Sequence, residues 1–201
     1  PKALRSALRQ DPDIILIGEI RDPETMEIAL QAGQTGHLVL STLHTNSAAD
    51  TFSRVLDLTH DRARDASRVA DILKLVLAQR LVTRYRPEME PRELTRLEKS
   101  WMSDNGLIIP EFFQETVSTQ KEGKVALVEA IEVDYEIRNL ILSERMDTNA
   151  IYKAASTQLQ YETLASAGMR AVEQGFAKIS ECQTRLGTNM YAGKHHPIRT
   201  E

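Results

Sequence analysis

A single cysteine, Cys182, stands among 201 residues, which excludes an intrachain disulfide framework and fits a reducing compartment. No apolar run approaches the roughly 20 residues that a membrane-spanning helix needs, and no secretion leader opens the chain. The expectation is therefore a cytoplasmic protein without a transmembrane segment. Positive charge is not in excess either. Twenty-five Lys and Arg against 29 Asp and Glu leave a net charge of −4, which opposes nonspecific nucleic-acid binding. Internal repeats and low-complexity tracts are absent. What remains is an ordinary globular composition, 27% charged and 41% hydrophobic, long enough for one good core or two small ones.

The most informative run is Asp11-Pro-Asp-Ile-Ile-Leu-Ile-Gly-Glu-Ile-Arg-Asp22. Ile14 to Ile17 reads as a buried strand, with Gly18, Glu19, Arg21 and Asp22 set at its carboxyl end, the edge where open α/β sheets bind ligands. A second apolar run, His37 to Leu40, ends in the polar cluster Ser41-Thr-Leu-His-Thr-Asn-Ser47. Between them Asp22-Pro23-Glu24 signals a helix start, a side-chain cap followed by proline at the first helical position. Met26, Ala29, Leu30 and Gly33 follow at helical spacing, and Gly36 marks the stop. The pattern is a βαβ unit whose polar strand ends face one side.

Further along, a helix is expected from about Ser47 to Leu56, with Ala48, Thr51, Phe52 and Val55 inward. A longer one is expected from Asp61 to about Tyr85, because Val69, Ile72, Leu73, Val76, Leu77 and Val82 recur at steps of three and four. Residues 87–122 change character. Pro87, Pro91, Asn105-Gly106 and Pro110 break them up around an apolar set of Trp101, Leu107, Ile108, Phe112 and Phe113, which reads as an insert or an irregular connection. Val125 to Val133 fits a strand or a strand-to-helix transition. Helical spacing returns from Asp134 through Ile137, Leu140, Ile141, Ile151, Leu164, Met169 and Val172, interrupted at Gly168 and Gly175. Ile179 to Leu186 forms a last short helix. The tail from Gly187 to Glu201 is expected to be mobile. Its His195-His196 pair has no carboxylate or cysteine nearby, so no metal site is expected there. Residues 2–10 read as a short helix with Leu4, Ala7 and Leu8 on one side. Pro1 reads as the interior of a domain, so the chain is expected to be part of a longer polypeptide.

Several of these residues can carry chemistry. Glu19 fits either the base that accepts a proton from water in nucleotide hydrolysis or a solvated strand-end carboxylate. On the first reading, Asp22 or Asp13 helps order Mg²⁺ through water. His44 fits a phosphate contact or relay, or a satisfied structural histidine. His37 fits the same role or a turn, and Arg21 fits a phosphate partner or an ion pair with Glu19.

The strings Ala3 to Asp22 and Thr35-Gly-His-Leu-Val-Leu-Ser-Thr-Leu-His-Thr-Asn46 resemble the secretion ATPases, the hexameric traffic motors of type II secretion and type IV pilus assembly or retraction. The first resembles their atypical Walker B box, with Gly18 where other P-loop ATPases carry aspartate, and the second their histidine box. Leu77-Ala-Gln-Arg-Leu81 resembles the family's helix leaving the ATPase core. Fainter likeness lies at residues 123–129 and 161–186. The resemblance implies a fold class of α/β, a partial RecA-like P-loop ATPase core over residues 1–86. An insert at 87–122 then takes the place of the family's zinc subdomain, and 123–201 form a mainly helical C-terminal subdomain and tail. It makes Glu19 the catalytic carboxylate, and Arg21, His44, His37 and Thr42 the residues that sense nucleotide or phosphate. It further implies ATP and Mg²⁺, a homo-hexamer, an inner-membrane platform protein as partner, and a cytoplasmic location peripheral to the inner membrane.

Two departures stand against that pattern. No Gly-x-x-x-x-Gly-Lys-[Ser/Thr] occurs in the chain. That loop holds the phosphates on backbone N–H groups, so the chain by itself is expected to be a poor ATPase or none. Residues 87–122 contain no cysteine, which excludes a tetrahedral thiolate zinc site there. A different class of function, a non-catalytic interaction or oligomerisation module, is compatible with the missing loop.

Overall fold

A computed structural model describes residues 12–143 and 146–187, together with Ser6 and Gln10. Apart from Ser6, Gln10 and Gly187, the helix expected over residues 2–10 and the tail with His195 and His196 lie outside the described residues. In chain order the elements are β1 (Ile14–Ile17), α1 (Pro23–Gln34), β2 (Leu38–Ser41), α2 (Ala48–Asp57), α3 (Arg62–Ile72), β3 (Leu75–Tyr85) and β4 (Met89–Pro91). There follow α4 (Arg96–Asp104), β5 (Gln114–Thr116), β6 (Lys121–Glu132), α5 (Tyr135–Leu142), α6 (Thr148–Ala155), α7 (Leu164–Glu173) and α8 (Ile179–Leu186). The chain divides into two compact units. Unit 1 takes Pro1–Val76 and Glu132–Ile151, and unit 2 takes Leu77–Ile131 and Tyr152–Glu201. These units are cut differently from the three regions read along the sequence, and residues 87–122 fall in unit 2 with the last helices.

Unit 1 contains the expected βαβ arrangement. β1 lies parallel to β2, with Ile14 opposite Leu38 and Ile17 opposite Ser41, and α1 supplies the crossover that parallel pairing requires. Asp22 starts α1 as the sequence signals: its carboxylate accepts the Thr25 N–H at 2.8 Å, with Pro23 in the first helical turn. Met26, Ala29 and Leu30 are buried. Gly33 lets α1 approach α3, since a Cβ there would lie 3.1 Å from Ile72 Cδ1. α2 begins at Ser47, whose hydroxyl accepts the Asp50 N–H, and buries Ala48, Phe52 and Val55. α3 packs against α1, α2 and α5, and α5 buries Ile137 and Ile141.

The reading of Ile14–Ile17 as a buried strand is corrected for two of its four residues. Ile15 and Ile17 are buried, but Ile14 and Leu16 are exposed, as are their register partners Leu38 and Leu40. Alternate side chains of a strand face opposite sides, so these four form one continuous apolar sheet face, open among the described residues.

The long helix expected from Asp61 to about Tyr85 is also corrected: the helix ends at Ile72, and Leu75–Tyr85 is β3. Apolar residues there satisfy two periods at once. Val76 and Ala78 are buried while Leu75, Leu77 and Leu81 are exposed, the alternation of a strand. The segment Leu77–Leu81, which resembled a helix, is part of that strand. Just outside the β3–β6 pair, Val133 N–H donates to Lys74 O and Arg86 N–H to Gln120 O, so the two strands run antiparallel. Val125 to Val133, left open between two readings, falls in strand β6 up to Glu132.

Residues 87–122 are more regular than their prolines suggest. β4 and β5 pair antiparallel, and α4 begins with a reciprocal capping box between Thr95 and Glu98. Trp101, Leu107 and Phe113 sit in one core with Leu127, Met169, Val172, Ile179 and Cys182. Ile108 and Phe112, expected in that apolar set, are exposed. Arg92 ties the segment together, bonding Glu98 at 2.7 and 2.9 Å and Glu115 at 2.9 Å while lying over the Phe113 ring. Glu115 in turn accepts the Ile179 N–H that opens α8. Gly168 does not interrupt its helix. It lies inside α7, where a Cβ would come within 3.3 Å of Cys182 Sγ in α8. Gly175 takes φ 75°, a left-handed conformation favouring glycine, and ends the element. Burial pushes the Cys182 thiol up to about 12, which makes it unreactive.

Candidate active site

Glu19 lies just past the carboxyl end of β1, on a turn fixed by β2. Its Oε2 meets Arg21 Nη2 at 2.5 Å and its Oε1 meets His44 Nε2 at 3.1 Å. The Glu19 side chain is 19% exposed, whereas Arg21 is 74% and His44 87% exposed. A shielded carboxylate thus carries two solvent-facing partners, one on each oxygen. The Arg21 guanidinium holds the Glu19 carboxyl below the ordinary glutamate range, with smaller help from the charge of His44 and against partial burial. Glu19 is therefore ionised at neutral pH and can accept a proton once a partner moves aside. Arg21 takes the ion-pair alternative left open for it.

Thr42, the first residue past β2, completes the group. Its hydroxyl donates to Gly18 O at 2.6 Å, and its carbonyl accepts the Ile20 N–H at 3.1 Å. The next polar residues serve α2: Ser47 caps it, and Thr45 Oγ1 lies 2.8 Å from Thr51 Oγ1.

Glu19, Arg21, Thr42 and His44 are brought together; Asp13, His37 and Asp22 are not part of that group. Asp13 precedes β1, and its carbonyl accepts the Leu38 N–H, so it marks the amino end of the sheet. The four residues of β1, roughly 13 Å at 3.3 Å each, lie between it and the turn that carries Glu19. His37 sits at that same far end. Its Nδ1 lies 2.9 Å from Thr35 Oγ1 and 3.0 Å from Ala32 O, at the last turn of α1. Asp22 is near Glu19 in sequence, but both of its oxygens take the Thr25 hydroxyl at 2.9 and 3.0 Å while one also caps α1. Those bonds hold its carboxyl below the ordinary range.

This arrangement does not suit a divalent cation by itself. Among the described residues no group of three or more His, Cys, Asp or Glu can hold a metal ion. Asp22 is committed to its helix and Asp13 is at the wrong end of the strand, so no metal step is assigned to these residues.

A sequence profile described as "Type II/IV secretion system protein" matches residues 1–184. The chain belongs to that family. Among members of the type II/IV secretion system family, it is 39% identical to the type IV pilus assembly ATPase PilB of Acinetobacter baylyi, over 89% of this chain and 31% of that protein. It is 35% identical to the type II secretion system protein E of Klebsiella pneumoniae, over 90% of this chain and 36% of that protein. In three dimensions it resembles the crystal structure of the pilus retraction motor PilT with bound ADP. The TM-score is 0.65 at 29% identity, over 91% of this chain and 42% of that one. The fold class is that expected, α/β with part of a RecA-like ATPase core. The chain spans about a third of the length of these curated relatives. Among the described residues no helix is long and apolar enough to cross a membrane.

Proposed function

We propose that this chain is the Walker B and histidine-box part of a hexameric ATP-hydrolysing motor, which powers type II secretion or type IV pilus assembly or retraction. The observation that carries this reading is the convergence of Glu19, Arg21, Thr42 and His44 at one end of a parallel β-pair, in a chain of this family. Glu19 is the base. Ionised and partly shielded, it accepts a proton from the water that attacks the γ-phosphate. His44 and Arg21, both solvent-facing, report on the phosphate by exchanging their bonds to Glu19 for bonds to it. Asp22 acts through the start of α1, and His37 through its end.

ATP, with Mg²⁺, is the substrate. The phosphate-binding loop and the groups that hold the metal are supplied by the longer protein, so the isolated chain neither holds nor hydrolyses the nucleotide. The motor is a homo-hexamer in the cytoplasm, peripheral to the inner membrane and working against a membrane platform protein. No zinc enters residues 87–122, where the Arg92 network and the Trp101 core take over the stabilising role.

The test is made on the full-length protein: steady-state ATP hydrolysis together with native mass spectrometry. The expected result is nucleotide-dependent assembly of six copies with ATP hydrolysis that Glu19→Gln abolishes. A folded full-length protein that binds no ATP and hydrolyses none would favour the interaction-module alternative.

A further inference from the structure

Thr42 is expected from the family resemblance to sense phosphate, but its contacts face elsewhere. A threonine hydroxyl has one hydrogen to donate, and Thr42 gives its own to Gly18 O at 2.6 Å. It has none left for a phosphate oxygen while that bond stands. Its carbonyl meanwhile accepts the Ile20 N–H at 3.1 Å. One residue of the neighbouring strand end therefore grips the chain immediately before and immediately after Glu19. Ile20 is also anchored by burial, whereas Gly18 is not. Gly18 has no side chain, and nothing beyond its chain neighbours lies within 4 Å of where a Cβ would be. Without the hydroxyl, the Gly18 carbonyl loses its side-chain donor, and the chain at Glu19 is gripped on one side only, through Ile20.

We propose that Thr42 is the positioning residue for Glu19, fixing the direction of its carboxylate through a two-sided clamp on Gly18 and Ile20. The inference rests on the reading of Glu19 as the water-activating base. A reacting group must be held to within about 0.5 Å of its productive place, and misplacement by about 1 Å can cost 10²-fold in rate. The clamp acts on turnover and leaves nucleotide binding alone.

The test uses the full-length motor with Thr42→Val, Thr42→Ser and Glu19→Gln measured side by side. Valine keeps the β-branched shape and removes the hydroxyl; serine keeps the hydroxyl. Thr42 is exposed, so neither change disturbs a packed core. Thr42→Val lowers kcat by about 10- to 100-fold with KM for ATP within about twofold, and Thr42→Ser stays within about threefold of wild type. Amide exchange of the peptide containing Ile20 rises in Thr42→Val and not in Thr42→Ser, a readout independent of turnover. A raised KM with unchanged kcat in Thr42→Val would show a phosphate contact and overturn the clamp. So would a serine variant as damaged as the valine one, or unchanged exchange at Ile20. The control separates two failures. Active Thr42→Val beside inactive Glu19→Gln overturns the clamp alone, and wild-type turnover in Glu19→Gln overturns the base reading beneath it.

Discussion

Glu19 is held by opposing demands. A general base works best when its pKa lies near the working pH, yet Arg21 holds its carboxyl below the ordinary glutamate range. The ion pair keeps the group charged and aimed, and weakens it as a base until Arg21 is drawn away. Arg21→Gln therefore raises the Glu19 pKa toward the ordinary value of about 4.3, as read by carboxyl NMR titration. An unchanged titration would mean that Arg21 does not control the carboxylate. At this scale much of the site was legible. Glu19, Arg21 and His44 stand a few residues past apolar runs, so strand ends alone bring them together. Asp13 and His37 precede the same runs, and chain order alone places them at the amino end, away from Glu19. Thr42's grip on Gly18 was not read, although it follows from register: once Ile17 faces Ser41, Gly18 comes next to Thr42.

Among the elements, those with strong punctuation were legible and those with two competing periods were not. Asp22-Pro23 and the Ile179–Leu186 helix match the structure because caps and compact apolar spacing are local signals. β3 was misread because Val76 and Leu77 continue the helical steps from Ile72 and Leu73, while Val76 and Val82 also fit strand alternation, and only pairing with β6 decides between them. Residues 87–122 looked irregular because the order there comes from contacts distant in sequence, above all Arg92 with Glu98 and Glu115. That network makes a pH prediction. The Arg92 guanidinium holds the nearly buried Glu98 carboxyl below its ordinary range, overcoming the opposing effect of burial. A depressed carboxyl contributes stability that is full above the unfolded value, about 4.3, and is lost as pH falls through the folded one. Denaturant melts followed by Trp101 fluorescence should show stability falling as pH drops below about 4.3. Arg92→Met should cost about 1–3 kcal/mol at neutral pH and lose less on acidification. Equal acid sensitivity in both proteins would exclude the pair as its source.

For the whole molecule, family membership and the α/β class were legible from two short boxes, whereas the partition into units was not. The chain crosses between unit 1 and unit 2 at residues 76–77, 131–132 and 151–152, and no composition shift marks the last two crossings. The open face of Ile14, Leu16, Leu38 and Leu40 was missed as well, because apolar runs indicate that a strand is covered without indicating how much of the cover lies in this chain. Hydrolysis turns on one carboxylate, and the decisive experiment is Glu19→Gln in the full-length protein, with ATP affinity and steady-state hydrolysis measured on the same preparation. Affinity is expected within about twofold of wild type and hydrolysis lower by about 10²- to 10⁴-fold, the contribution of a general base. Wild-type hydrolysis, or loss of ATP binding together with activity, would show that Glu19 is not the base.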